Sequence, residues 1–311
     1  MRVLLWFLIA APIALAGAPP QSHKDVLRVP VWAVTKDPSQ VQPIDLKALT
    51  GKVDGKPAAI VSAHGPGDDL AILLVLDLSD DMALADVAKD AAIAAVEALP
   101  PNATVALLRA QDGLHVLEDP TTDRGAIAQA IKGVAVAGKA GLLDTVEVAE
   151  RVADTMLAKS AVRVAVVYIT DSSVANYRED FTNPVINSSD SHDISRSFPE
   201  GLVREKISKV GANLALFQTP FFAVHIAYRS DRLNEAYQTG LLHLATLSGG
   251  SSAFCRSRAE IPDAISAMFR TVAGHYSIAL RMPQKPPKAV QVQLECPGQV
   301  LTYRNRFVLQ R

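Results

Sequence analysis

Ala71-Ile72-Leu73-Leu74-Val75-Leu76-Asp77-Leu78-Ser79-Asp80-Asp81-Met82 is an unbroken apolar run that ends in three carboxylates and a hydroxyl. A short continuous run of this kind reads as a strand buried on both faces, as in parallel sheets covered by helices. A second such run, Val162-Arg163-Val164-Ala165-Val166-Val167-Tyr168-Ile169-Thr170, stops in the same way at Asp171. Two parallel strands thus deliver acidic groups to one edge of a sheet. In open α/β sheets ligands collect outside the carboxyl ends of the strands, where the strand order reverses, so this edge is the expected seat of function.

Outward from these strands, the chain from Leu70 to about Ala273 alternates apolar strands with amphipathic helices, the pattern of a parallel α/β unit. After Asp81, Leu84, Val87, Ala91, Ala94 and Ala98 recur at helical spacing, and Pro100-Pro101 stop the helix. Thr104 to Arg109 and Leu114 to Leu117 flank Asp112-Gly113, a hairpin signal that makes this pair antiparallel. A helix through Leu142, Val146, Ala149, Ala153 and Leu157 carries a charged opposite face of Glu147, Glu150, Arg151 and Asp154. Ser172 to Pro199 is polar and aperiodic, a long loop beyond the acidic edge. Val203, Ile207, Val210, Leu214 and Phe217 mark another helix, followed by a strand from Phe221 to Tyr228, a helix ending at Gly249-Gly250, a short strand at Ser252-Ala253-Phe254 and a last helix from about Ala259 to Val272.

Both flanks are β-rich. Val26 to Val34 alternates like a half-buried strand, with Pro30 suggesting an edge position. Asp54-Gly55-Lys56-Pro57 is turn chemistry before another strand, and Tyr276 to Leu280, Val290 to Glu295 and Val300 to Val308 are strand-like. The expected organisation is a signal region at 1–18, an N-terminal β segment at 24–66, an α/β domain at 69–273 and a C-terminal β segment at 274–311, the two β segments forming one small β-sandwich.

With 311 residues, 49% of them hydrophobic, the chain can bury a sizeable core. A formal net charge of -1 and no long basic run argue against nucleic-acid binding or attachment to an anionic membrane. Met1-Arg2, the apolar segment Val3 to Leu15 and the small residues to Ala18 fit a secretory signal, with cleavage after Ala16 favoured because Pro19 follows Ala18. The apolar core is shorter than the roughly 20 residues a spanning helix needs. The expected location is therefore periplasmic or extracellular. Cys255 and Cys296 either bridge the central region to the C-terminal strands or remain separately buried thiols.

At the acidic edge, Asp77, Ser79, Asp81 and Asp171 offer only oxygens, which suit Mg2+, Mn2+ or Ca2+ rather than zinc. Ser79 lacks a Gly-x-Ser-x-Gly elbow with accompanying His and Asp, and no phosphate-cradling glycine loop is present. His225 and His243 read as packed or partly exposed histidines, and His192 would reach a metal only if its loop folded back. Asp144 offers either a second carboxylate behind the site or a helix cap.

Asp77-Leu78-Ser79-Asp80-Asp81-Met82 resembles the Asp-x-Ser-x-Ser motif of von Willebrand factor type A domains. Thr170-Asp171 is similar to their Thr-Asp-Gly motif, and Leu244-Ala245-Thr246-Leu247-Ser248-Gly249-Gly250 to their Leu-Ala-x-x-Thr-Gly-Gly ending. The flanking β segments resemble those of bacterial exported relatives. The resemblance implies a Rossmann-like, mainly parallel sheet flanked by helices, and a metal-ion-dependent adhesion site holding a divalent ion that binds a partner's carboxylate. The sequence departs from that pattern where Asp81 replaces the second serine, Ala140 falls on the ligating threonine and Ser172 replaces the glycine after Asp171. An added carboxylate would hold a cation more tightly while weakening its pull on an incoming carboxylate.

Two expectations follow. One is an exported, non-enzymatic adhesion-type module that binds a protein partner at a modified ion site of Asp77, Ser79, Asp81 and Asp171, with the Ser172 to Pro199 loop shaping specificity. The other is an envelope scaffold with a degenerate, metal-free site. A metal-dependent hydrolase would lack a general base beyond the same carboxylates.

Overall fold

The computed structural model describes residues 26–34, 42–174 and 199–309. The signal region expected at 1–18, most of the polar segment from Ser172 to Pro199 and His192 lie outside the described residues.

The central layer is a six-stranded sheet built from β5 (Leu70–Asp77), β6 (Ala103–Arg109), β7 (His115–Thr121), β8 (Arg163–Thr170), β9 (Phe221–His225) and β10 (Ser252–Phe254), in the order β10-β9-β8-β5-β6-β7. Every neighbouring pair is parallel except β6 with β7, the hairpin expected at Asp112-Gly113. All eight residues of β5 and of β8 are buried, because helices cover both faces. The order reverses between β5 and β8, which places Asp77 and Asp171 on either side of the switch point.

One face carries α1 (Met82–Glu97), α2 (Arg124–Gly133) and α6 (Ile261–Gly274), whose buried residues form one core cluster with alternate residues of the strands. The other face carries α3 (Leu142–Lys159), α4 (Pro199–Leu214) and α5 (Arg232–Ser248). On α1 the buried stripe is Ala85, Ala88, Ala92, Ala95 and Val96, one position away from the stripe read in the sequence. A stripe of alanines presents little bulk, so α1 packs closely against α6, while the larger Leu84 and Val87 sit at the margin of the core. On α3 the expected apolar stripe is buried, but Glu150 is buried with it instead of joining the charged face.

The flanks form two four-stranded antiparallel sheets, each drawing strands from both ends of the chain. One has the order β13 (Leu301–Tyr303), β1 (Val26–Ala33), β11 (Tyr276–Arg281), β4 (Ile60–His64); the other has β14 (Arg306–Val308), β12 (Ala289–Glu295), β2 (Thr50–Val53), β3 (Lys56–Ala58). Their inward residues, among them Val29, Ile278, Leu280, Val292, Leu294 and Phe307, share one core, so the pair is a small sandwich. Pro30 does not mark an edge. β1 lies inside its sheet, and the short β13 pairs with Val31, Trp32 and Ala33, just beyond the proline. The single C-terminal strand expected from Val300 to Val308 is broken at Arg304-Asn305, and its halves join different sheets.

Buried arginines tie the sandwich to the α/β unit. Arg304 donates to the carbonyls of Phe217 at 2.7 Å and Ala215 at 2.5 Å, just beyond α4. At the start of β8, Arg163 donates to Pro66, Asp68, Ala273 and His275 carbonyls, on the segments that connect the two units. Cys255 belongs to the α/β core and Cys296 to the sandwich core, and both are free. The sequence alternative of a bridge is corrected accordingly: each thiol is buried in its own cluster.

Candidate functional site

The site begins with the end of β5. Asp77 is fully buried, and its Oδ1 accepts the Gly141 amide at 2.9 Å. Its Oδ2 accepts the Leu142 amide at 3.2 Å and the Thr170 hydroxyl at 3.1 Å. Gly141 and Leu142 open α3, where free amides and the helix dipole favour a negative charge. Burial pushes the Asp77 carboxyl up to about 6; the bonds from Gly141, Thr170 and Leu142 oppose that shift and the nearby Asp171 charge adds to it.

Asp171, one residue past β8, turns the other way. Its Oδ1 accepts the Ser79 amide at 2.8 Å, and its Oδ2 accepts the amides of Asp80 at 2.9 Å and Asp81 at 3.0 Å. Burial raises this carboxyl too, against the pull of the three amides. Asp81 in turn caps α1, its Oδ1 accepting from Ala83 at 2.9 Å and Leu84 at 3.1 Å. The β5–α1 turn is fastened from two further sides. The Gln111 side chain donates to the Leu78 carbonyl at 2.6 Å, and Arg229, from the loop after β9, pairs with Asp80. Gln238 holds that loop by bonding both the amide and the carbonyl of Arg229, at 2.9 and 2.8 Å.

Behind Asp77 a line of hydroxyls runs from Thr170 to Ser172 at 2.7 Å and from Ser172 to Tyr237 at 2.7 Å. His225 Nε2 donates to the Ser172 carbonyl at 2.8 Å, and the ring packs against Tyr237 and Phe254. Its pKa is lowered to about 4, chiefly by burial, so the ring is neutral near pH 7. His243 is exposed on α5, and Asp144 pairs with Lys206 of α4.

The structure therefore brings Asp77, Ser79, Asp81 and Asp171 to one edge, but not as a ligand shell. A carboxylate offers about four acceptor positions, and three on Asp77 and three on Asp171 are taken by amide or hydroxyl donors. Asp81 faces the start of α1, and Ala140 is buried with no oxygen to give. The Ser79 hydroxyl is buried and lacks a partner among the described residues. With Asp81 Oδ2 and the single position left on each of Asp77 and Asp171, it makes four protein oxygens where magnesium or calcium takes six or more. Among the described residues no group of three or more His, Cys, Asp or Glu side chains is placed to hold a metal ion. The donor set does not fit the ion that the resemblance implies.

Arg229 was not legible as part of the site: nothing local in sequence links it to Asp80, 149 positions away. Gln111 had a weak signal, as a polar residue closing a strand beside a hairpin turn.

Residues 72–173 match the family model described as the von Willebrand factor type A domain. The matched residues run from β5 to just past β8 and have the von Willebrand factor type A fold; α4, β9, α5, β10 and α6 continue the sheet and its helix layers outside the match. No curated protein matches the sequence. Among solved structures, the chain is similar to proximal thread matrix protein 1 from the mussel byssus with a zinc-occupied MIDAS motif, at 12% identity over 72% of this chain and 50% of that one, TM-score 0.45. It is also similar to a von Willebrand factor type A protein from Catenulispora acidiphila, at 12% identity over 92% and 74%, TM-score 0.45. The vWF domain of the pilus tip protein Mfa5 from Porphyromonas gingivalis gives 12% identity over 66% and 95%, TM-score 0.43. The chain spans about half the length of the mussel protein it matches.

Proposed function

We propose that the chain is a non-enzymatic protein-interaction module that presents the carboxyl edge of its sheet to a partner and does so without a bound metal ion. The observation that carries this reading is the way Asp77 and Asp171 are used. Asp77 accepts three hydrogen bonds from the start of α3 and the end of β8, and Asp171 three from the β5–α1 turn, so the two carboxylates act as struts that hold the edge in one shape. A preorganised edge loses less conformational entropy on binding. Met82, 65% exposed beside the struts, adds an apolar contact to an otherwise charged rim. Ser79 has no base within hydrogen-bonding distance among the described residues, which supports a binding role over a hydrolytic one.

An exported location belongs to the same proposal and rests on the signal-like residues 1–18. Among the described residues no helix is long and apolar enough to cross a membrane.

A photo-crosslinking residue placed at Met82, and in a separate variant at Lys56 on the exposed strand β3 of the sandwich, tests the reading in cells that make the protein. A defined partner trapped from Met82 supports it. Trapping from Lys56 alone moves the contact to the sandwich and favours a scaffold role.

A further inference from the structure

Adjoining the acidic edge and sharing Asp81 and Arg229 with it, a pocket of about 270 Å³ opens between the loop after β9 and the loop after β10. Its walls include Tyr228 and Arg229 on one side and Arg256, Ser257 and Arg258 on the other, with Asp81 at the rim. The two loops are joined by the Tyr228 amide donating to the Cys255 carbonyl at 3.0 Å, so the walls are fixed to one another. The Arg256 guanidinium lies over the Tyr228 ring, 5.1 Å from its centroid, which orients its donors.

The carboxylates around this pocket are engaged elsewhere. Glu260 accepts the Arg256 amide at 2.9 Å and the Ser257 hydroxyl at 3.1 Å, closing its own loop. Asp80 pairs with Arg229, and Asp81 accepts from the first amides of α1. Arg256 and Arg258 are exposed and form no ion pair with any described residue. Two guanidinium groups, one of them stacked, thus line a small cavity in which, among the described residues, the one lining carboxylate is Asp81, whose Oδ1 caps α1. Guanidinium forks match carboxylates in bidentate geometry. The pocket is below the size of ordinary small-molecule sites, which start at about 300 Å³, and suits a single side chain.

We infer that this pocket receives a carboxylate side chain from an acidic peptide segment of the partner, with Arg256 and Arg258 as its anchors. The inference deepens the interaction reading above and rests on it. In place of a bound cation, the edge would attract an acidic partner through arginines carried on adjacent loops.

The test is fluorescence anisotropy of a labelled oligoglutamate peptide with the full chain, in chelator, with oligoglutamine as the neutral probe. The expected result is saturable binding of oligoglutamate only, weakened by salt and reduced about tenfold or more in Arg256→Gln/Arg258→Gln. Both positions are exposed, so the variant should keep the wild-type melting temperature, and Arg256→Lys/Arg258→Lys should recover part of the affinity. Equal binding by the Gln variant overturns the inference, as does binding of inorganic phosphate without binding of oligoglutamate. No binding of oligoglutamate by the wild type also overturns it, while leaving the edge open to a partner of other chemistry. In a parallel run with magnesium in place of chelator, binding that appears only there and survives in the Gln variant overturns both the arginine pocket and the metal-free reading.

Discussion

Asp77 and Gly141 stand 64 positions apart, and one hydrogen bond of 2.9 Å from the Gly141 amide to Asp77 Oδ1 joins the end of β5 to the start of α3. The bond exists because position 141 has no side chain: a Cβ there would lie 1.8 Å from the Ala110 carbonyl oxygen. Gly141→Ala must push α3 or the chain just past the end of β6 away and lengthen the Asp77 bond. It should cost about 3 kcal/mol, read from urea denaturation midpoints.

Asp171→Ala removes the acceptor for three amides of the β5–α1 turn, whereas Asp81→Ala removes a helix cap that solvent can partly replace. The expected losses are about 3 kcal/mol for Asp171→Ala and about 1 kcal/mol for Asp81→Ala. Amide hydrogen exchange at Ser79, Asp80 and Asp81 should rise in the first variant. If the two variants lost equal stability, Asp171 would not be a strut.

The Asp77 carboxyl, raised to about 6, gives a pH signature. Between its ordinary pKa near 3.8 and about 6, the folded chain holds a proton at this position that the unfolded chain has released. Its contribution to stability is therefore complete below the ordinary value and is lost as pH rises through about 6. His225 and His275, both lowered to about 4, have the opposite sign. The difference between wild type and Asp77→Asn cancels them. Thermal unfolding from pH 4 to pH 7 should show that difference shrinking by about 2 kcal/mol as pH rises. A constant difference would place Asp77 at its ordinary pKa.

Arg304 should carry the junction between the sandwich and the α/β unit. Arg304→Met leaves the carbonyls of Ala215 and Phe217 without their buried donor and should cost about 2–4 kcal/mol by denaturant unfolding. A cost near zero would mean that water satisfies these carbonyls.

The fold was legible where one local property decided it. Continuous apolar runs marked β5 and β8, Asp112-Gly113 marked the β6–β7 turn, and Gly249, at a φ of 88° past the end of α5, marked that helix terminus. Legibility failed where the decision was made by partners distant in sequence. Pro30 suggested an edge because its missing donor is visible locally, but the strand that pairs beyond it comes from residues 301–303. The break at Arg304-Asn305 is set by which sheet each half joins, and Arg304 itself reaches the α/β unit. The candidate site shows the same division. Four oxygen-bearing residues gathered at the strand ends could be named from the sequence. Whether their lone pairs face an ion or an amide depends on the loops around Gly141, Gln111 and Arg229, whose approach no local pattern records.

The metal-free edge is tested most directly by calorimetric titration of magnesium, manganese, calcium and zinc, in separate runs, into the chelator-treated protein, with Asp77→Asn/Asp171→Asn as the control. The account predicts no saturable heat and no rise in melting temperature with any of the ions. Saturable binding by the wild type that the double variant loses would contradict it, because Asp77 and Asp171 would then be ligands and not struts.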